Sequence, residues 1–201
     1  MEMLVSIPFL IFLPMIMSFL ILSPFFTNNE IVIRRFTKGF CLFEFAYAIF
    51  MLMFFNPSNP FVSQINLFGL DWIQSIGVKF LFQVNGINMI FILLTTFIFL
   101  LATIASKTHI RKNHKFYYGM ILLLMSAILG IFTANDMFVF FMFWELELIP
   151  AYFLIGGNWS NNEENEKAKK SAVKFVLFTF LGSMVMLVGI LFLCLLQSPC
   201  H

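Results

Sequence analysis

The amino-acid sequence predicts an all-α integral membrane protein, a bundle of about six transmembrane helices. Three observations carry that prediction: the chain is 61% hydrophobic and 11% charged, its mean hydropathy is +0.94, and its apolar runs match the roughly 20 residues that one bilayer crossing needs. A soluble domain is ordinarily about a quarter charged and about half apolar, so a bilayer is the solvent that fits. The 201 residues leave room for six crossings in a single membrane domain.

The runs lie near 3–26, 37–55, 86–105, 116–134, 137–157 and 172–196. In lipid every backbone donor and acceptor needs a partner inside the protein, and runs this long meet that need as helices, because barrel strands are shorter and alternate. The first run lacks a basic flank and a small-residue cleavage site and is longer than a signal-peptide core, which predicts a retained helix. The connection 56–85 is expected at the outer surface. Within it Val78, Phe80, Phe82 and Val84 alternate with Lys79, Leu81 and Gln83, the pattern of a short hairpin. In the last run Gly182 and Gly189 share a face and would let a neighbouring helix approach closely. Thirty phenylalanines are spread through nearly every run and read as lipid-facing filler.

The net charge of +2 is small and dispersed, which argues against a nucleic-acid partner; its distribution sets the topology instead. Arg34, Arg35 and Lys38 follow helix 1, Lys107, Arg111, Lys112 and Lys115 follow helix 3, and Lys167, Lys169, Lys170 and Lys174 follow helix 5, whereas Lys79 falls on the opposite side. Positive charge gathers in cytoplasm-side loops, so both termini are expected on the outer side, periplasmic or lumenal. That topology puts the formal glycosylation sequon Asn158-Trp159-Ser160 at the inner surface and His109 and His114 among headgroups. Cys41, Cys194 and Cys200 have no CxxC spacing and read as packing residues.

Three acids fall inside the spans: Glu44 in helix 2, and Glu145 and Glu147 in helix 5. A charge at mid-bilayer costs on the order of 3 kcal/mol, so such residues persist where they face a protein interior or a hydrated path. Burial favours a neutral carboxyl, the property an acid needs to exchange protons near neutral pH. Glu145 lies about eight residues from the outer end of its helix, close to mid-membrane. Glu147 is rotated about 200° from it, so the two carboxylates cannot share one proton. Pro150 lacks an N–H, which deprives the Leu146 carbonyl of its helical donor and permits a kink. The plainer reading is a packing bend with incidental acids. Lys174, at the start of helix 6, is a candidate partner for Glu145, but roughly 13 Å along the membrane normal separates them. Snorkelling to the interface is its expected state. No phosphate loop, flavin or nicotinamide fingerprint, or cluster-ligating cysteine set is present, so the chain is expected to bind no cofactor and perform no redox chemistry itself.

The stretch Trp144-Glu145-Leu146-Glu147-Leu148-Ile149-Pro150-Ala151-Tyr152 resembles the helix 5 signature of an antiporter-like subunit family, chain 4 (subunit M, or D in plastids and cyanobacteria) of proton-translocating NADH-quinone oxidoreductase of the respiratory complex I type. Ala134-Asn135-Asp136-Met137, Ala172-Val173-Lys174-Phe175, Asn85-Gly86-Ile87-Asn88 and Leu93-Leu94-Thr95 agree with it in order and spacing, so the resemblance covers most of the chain. Asn85 departs from the aspartate usual in that turn. The resemblance implies the N-terminal part of a fold of about fourteen helices, with Glu145 as the proton-transfer residue, Glu147 and Lys174 as further candidates and Pro150 as a structural residue. It implies other membrane subunits as partners, NAD(P)H or ferredoxin and quinone as cofactors of the complex, and a bacterial, thylakoid or organelle inner membrane. Because the sequence ends after the sixth helix, the resemblance implies a fragment, a subunit whose remainder is a separate polypeptide, or a degenerate copy, and the chain is expected not to pump alone. Two rival readings are a subunit of a multisubunit cation/proton antiporter and a structural membrane scaffold.

Overall fold

The computed structural model describes residues 6–54, 65–73, 78–106, 110, 112–157, 159 and 165–196. Its elements are α1 (Ser6–Leu22), α2 (Glu30–Phe54), β1 (Ile65–Ile73), β2 (Val78–Phe82), α3 (Gly86–Ala105), α4 (His114–Thr133), α5 (Met137–Gly156) and α6 (Asn165–Leu196). The chain is thus a helical membrane protein carrying one short hairpin. Five of its helices are long and apolar enough to cross a membrane, and α1 is shorter. The first run was expected to reach residue 26, but α1 ends at Leu22 because Ser23 precedes Pro24, a position that disfavours helical backbone.

Two helices start earlier than their apolar runs. The side chain of Asn29 accepts a bond from Ile31 N (3.0 Å) and Glu30 occupies the first turn of α2, both stabilising at a helix N-terminus. Helix α2 therefore begins at Glu30 rather than near 37, and Arg34, Arg35 and Lys38 ride on it instead of lying in a loop. In the same way α6 begins at Asn165 rather than near 172, with Glu166 in its first turn and the four lysines from Lys167 to Lys174 on the helix.

Helix α4 is the centre of the bundle: it packs against α1, α5, α3 and α2. Two hydroxyl-to-carbonyl bonds join it to α1, Ser18 Oγ to Gly119 O and Ser126 Oγ to Ile11 O, both 2.7 Å. At the end where α2, α4 and α6 begin, Lys115 Nζ donates to Phe26 O (3.0 Å) and Asn28 Oδ1 (3.3 Å), and Lys112 N to Trp159 O (3.3 Å). The basic side chains Arg34, Lys115 and Lys167 thus belong to the N-terminal turns of the even-numbered helices, at one end of the bundle.

The hairpin is antiparallel, pairing Ile65 with Phe82 and Ile73 with Val78. It does more than rest on a surface. Asn135 N donates to Leu81 O (3.0 Å) and Gln83 N to Thr133 O (2.8 Å), which ties β2 to the α4–α5 turn. Phe82 is fully buried there, edge-on to Phe12 and Phe143 with centroids 6.2 and 5.9 Å away. Some phenylalanines are therefore core and not lipid filler, since a hairpin capping the bundle needs an apolar plug where lipid cannot reach. Residues 55–64 and 74–77 of the expected outer connection lie outside the described residues.

The close helix approaches also fall elsewhere than the sequence indicates. A Cβ at Gly182 or Gly189 would meet nothing within 4 Å, whereas one at Gly119 would lie 2.9 Å from Leu22, one at Gly156 2.9 Å from Ala172, and one at Gly130 would enter the Phe143 ring. The Gly182–Gly189 stripe faces away from the other described helices.

Candidate functional site

Helix α5 is started by Asp136, whose carboxylate accepts bonds from Phe138 N (2.8 Å) and Val139 N (3.2 Å) while 3% exposed. This cap fixes the register that sets the depth of the acids behind it. Glu145 is the ninth of the 20 residues of α5, close to its midpoint. It is half-buried, and its Oε1 is buried with no hydrogen-bond partner among the described residues. Glu147 is half-buried as well.

The two carboxylates leave the helix in nearly opposite directions. Val139, Phe143 and Pro150 form one buried side of α5, and Phe143 reaches Gly130 of α4. Gly156, Tyr152 and Leu148 lie on the Glu145 side at helical spacing, and Gly156 meets Ala172 of α6. A groove lined by Leu148, Ile149, Tyr152, Phe153 and Val176 runs along that interface. Glu145 thus belongs to the α5–α6 side, and Glu147 is rotated about 200° from it.

The Gly156–Ala172 contact also sets the vertical register of two antiparallel helices. Eleven residues separate Gly156 from Glu145, and the same rise on α6 leads from Ala172 to Ser183. Ser183 is 4% exposed, its hydroxyl donating to Phe180 O at 2.9 Å. Ala172, Ser183 and Ile190 are all buried and share one face of α6. Sequence inspection missed Ser183, because a lone serine in a helix apolar on all sides carries no periodic signal. Lys174 stands only two residues from Ala172, roughly 13 Å from the Glu145 level, and is exposed. The structure therefore brings Ser183, and not Lys174, to the height of Glu145.

Glu44 lies on the opposite side of α4. It is 0% exposed, on the buried face of α2 that packs against α3 and α4, and neither carboxylate oxygen has a hydrogen-bond partner among the described residues. No cluster of three or more His, Cys, Asp or Glu placed to hold a metal occurs among the described residues.

Residues 134–200, which contain Asp136, Glu145 and Ser183, match the family model described as NADH:quinone oxidoreductase/Mrp antiporter, TM. NADH-quinone oxidoreductase subunit M of Buchnera aphidicola subsp. Acyrthosiphon pisum is 32% identical over 89% of this chain and 38% of its own length. NAD(P)H-quinone oxidoreductase chain 4, chloroplastic, of Chara vulgaris is 33% identical over 89% of this chain and 36% of its length. The chain belongs to the antiporter-like subunit family of NADH-quinone oxidoreductase. A second Buchnera subunit M, from subsp. Schizaphis graminum, is 39% identical over 63% of this chain and 25% of its own length. The chain thus spans well under half of the length of these family members. The fold agrees: a chain of the membrane-bound sulfane sulfur reductase, an archaeal respiratory membrane complex, superposes with a TM-score of 0.69 at 22% identity, over 92% of this chain and 36% of that one.

Proposed function

We propose that this chain forms part of a proton half-channel in a proton-translocating subunit of an NADH- or ferredoxin-quinone oxidoreductase, with Glu145 as the residue that gains and loses the proton. The observation that carries this reading is a carboxyl at the midpoint of a membrane-spanning helix, with one oxygen buried and unbonded among the described residues. Such a group is costly to keep in lipid for packing alone, because an apolar side chain would fill the same space without the desolvation penalty. Its placement on the α5–α6 side gives it the Tyr152 groove toward the basic end. Redox energy, nicotinamide or ferredoxin, and quinone belong to partner subunits of the complex.

Lys174 acts here as an interfacial anchor with its ammonium among headgroups, and Glu147 as a secondary acid. The basic end of the bundle faces the cytoplasm, stroma or matrix, and both termini face outward. The test is Glu145→Gln in the assembled complex in sealed vesicles, with electron transfer and ΔpH followed together. Loss of ΔpH is expected, with Glu145→Asp retaining part of it; full proton translocation in Glu145→Gln would refute the assignment. The family description also covers cation/proton exchangers. Copurification with quinone-reducing subunits supports the oxidoreductase, and cation-dependent ΔpH without them the exchanger.

A further inference from the structure

The groove between α5 and α6 opens sideways, and a cation stands at its inner mouth. Leu148, Ile149, Tyr152, Phe153 and Val176 line a space of about 290 Å³, almost wholly apolar. Ile149 and Phe153, 52% and 37% exposed, leave its membrane side uncovered by the described residues. An apolar slot open to the bilayer is filled by a lipid tail or by another helix, since tails suit such a surface as well as leucine does.

The inner end of the slot is not apolar. Gly156 stands about one turn inward of Tyr152 and Phe153, and Lys169 Cα lies 3.7 Å from where a Cβ at Gly156 would sit. Lys169 is exposed and has no ion-pair partner among the described residues. It shares one face of α6 with Val176, seven residues further outward, and with Ser183, a further seven residues on. Because Ser183 is level with Glu145 at the midpoint of its span, Val176 lies roughly 10 Å from mid-membrane and Lys169 roughly 21 Å. The hydrocarbon reaches about 15 Å from the middle of a bilayer and the headgroups about 20–22 Å. The slot is thus at the depth of lipid tails and Lys169 at the depth of lipid phosphates. Lys167, Lys170 and Lys174 stand about 100–160° round the helix from Lys169, on other faces.

We propose that this groove binds an anionic phospholipid, with one acyl tail in the slot and the headgroup phosphate at Lys169. A phospholipid satisfies slot and cation together, because its tail and its charge are separated by the same axial step as Val176 and Lys169. The other three lysines draw anionic lipid to the surface in general, and Lys169 selects the one whose tail occupies the groove. The groove is also the one proposed to serve Glu145, so a seated tail controls entry there. That consequence rests on the proposed function, whereas the binding does not.

The test is photolabelling of the assembled complex in vesicles with phosphatidylglycerol or phosphatidylcholine bearing the same photoactivatable tail, the adducts being located by peptide mass spectrometry. Adducts are expected on Ile149, Tyr152, Phe153 or Val176, about fivefold more from phosphatidylglycerol, the preference that one lysine gives an anionic headgroup. Lys169→Gln should bring the two lipids level, Lys169→Arg should keep the preference, and Lys170→Gln, off the groove, should leave it unchanged. Equal labelling by both lipids in the parent shows nonselective boundary lipid and overturns the proposal. So does a groove without adducts, as when another helix closes it, or a loss in Lys170→Gln equal to that in Lys169→Gln. In Glu145→Gln the labelling is expected to persist, so failure of the Glu145 assignment and failure of this one are read separately.

Discussion

The two serine bridges between α1 and α4 give a quantitative test of how the bundle holds its first helix. Ser18 Oγ donates to Gly119 O and Ser126 Oγ to Ile11 O, each at 2.7 Å and each with a buried serine. Helix α1 is apolar nearly all round, and lipid solvates such a surface about as well as protein does, so these bonds and the packing around Gly119 supply the specificity. An interhelical hydrogen bond in a membrane is worth about 0.6 kcal/mol on average and up to about 1.7. Ser18→Ala and Ser126→Ala should each cost that much. The bridges attach to α1 at Ile11 and Ser18, about 10 Å apart along the helix, far enough for their effects to add. The double variant should therefore lose about 1.2 kcal/mol, roughly an eightfold shift in the unfolding equilibrium. The assay is denaturant unfolding of the purified protein in mild detergent, followed through a cysteine-reactive probe on the buried Cys41. A double variant as stable as the parent, or one losing far more than the sum of the singles, would refute the view of two independent ties.

Two further perturbations follow from the packing. Gly130→Ala places a methyl group against the Phe143 ring and should destabilise the protein by about 1–3 kcal/mol, with Phe143→Leu relieving part of the loss in a double-mutant cycle by the same unfolding assay. Asp136→Ala removes the cap bonds to Phe138 N and Val139 N and should cost about 1–2 kcal/mol, while Asp136→Asn, which keeps an acceptor oxygen, should keep most of the stability.

Much of this molecule is legible from composition and order alone. Segment hydropathy measures transfer from water to hydrocarbon, a property of the local sequence, so the helical class, the number of apolar helices and the presence of Glu44, Glu145 and Glu147 inside them follow directly. The hairpin pattern at Val78, Phe80 and Phe82 is equally local. Helix starts were less legible, because caps such as Asn29 and acids such as Glu30 extend α2 beyond its apolar run.

What the tertiary structure alone decided is which way each side chain faces. In water an amphipathic stripe marks the buried side of a helix, but in a bilayer leucine and phenylalanine suit the lipid side and the protein side equally. Helices α5 and α6 accordingly show almost no polar face from which to read their partners. Only packing sets Glu145 toward α6, brings Ser183 level with Glu145, leaves Gly182 and Gly189 open, and encloses Glu44 where α2 meets α3 and α4. The sequence determines that acids enter the membrane; the arrangement of neighbouring helices determines what each acid meets there, because that choice depends on close contacts hydropathy does not encode.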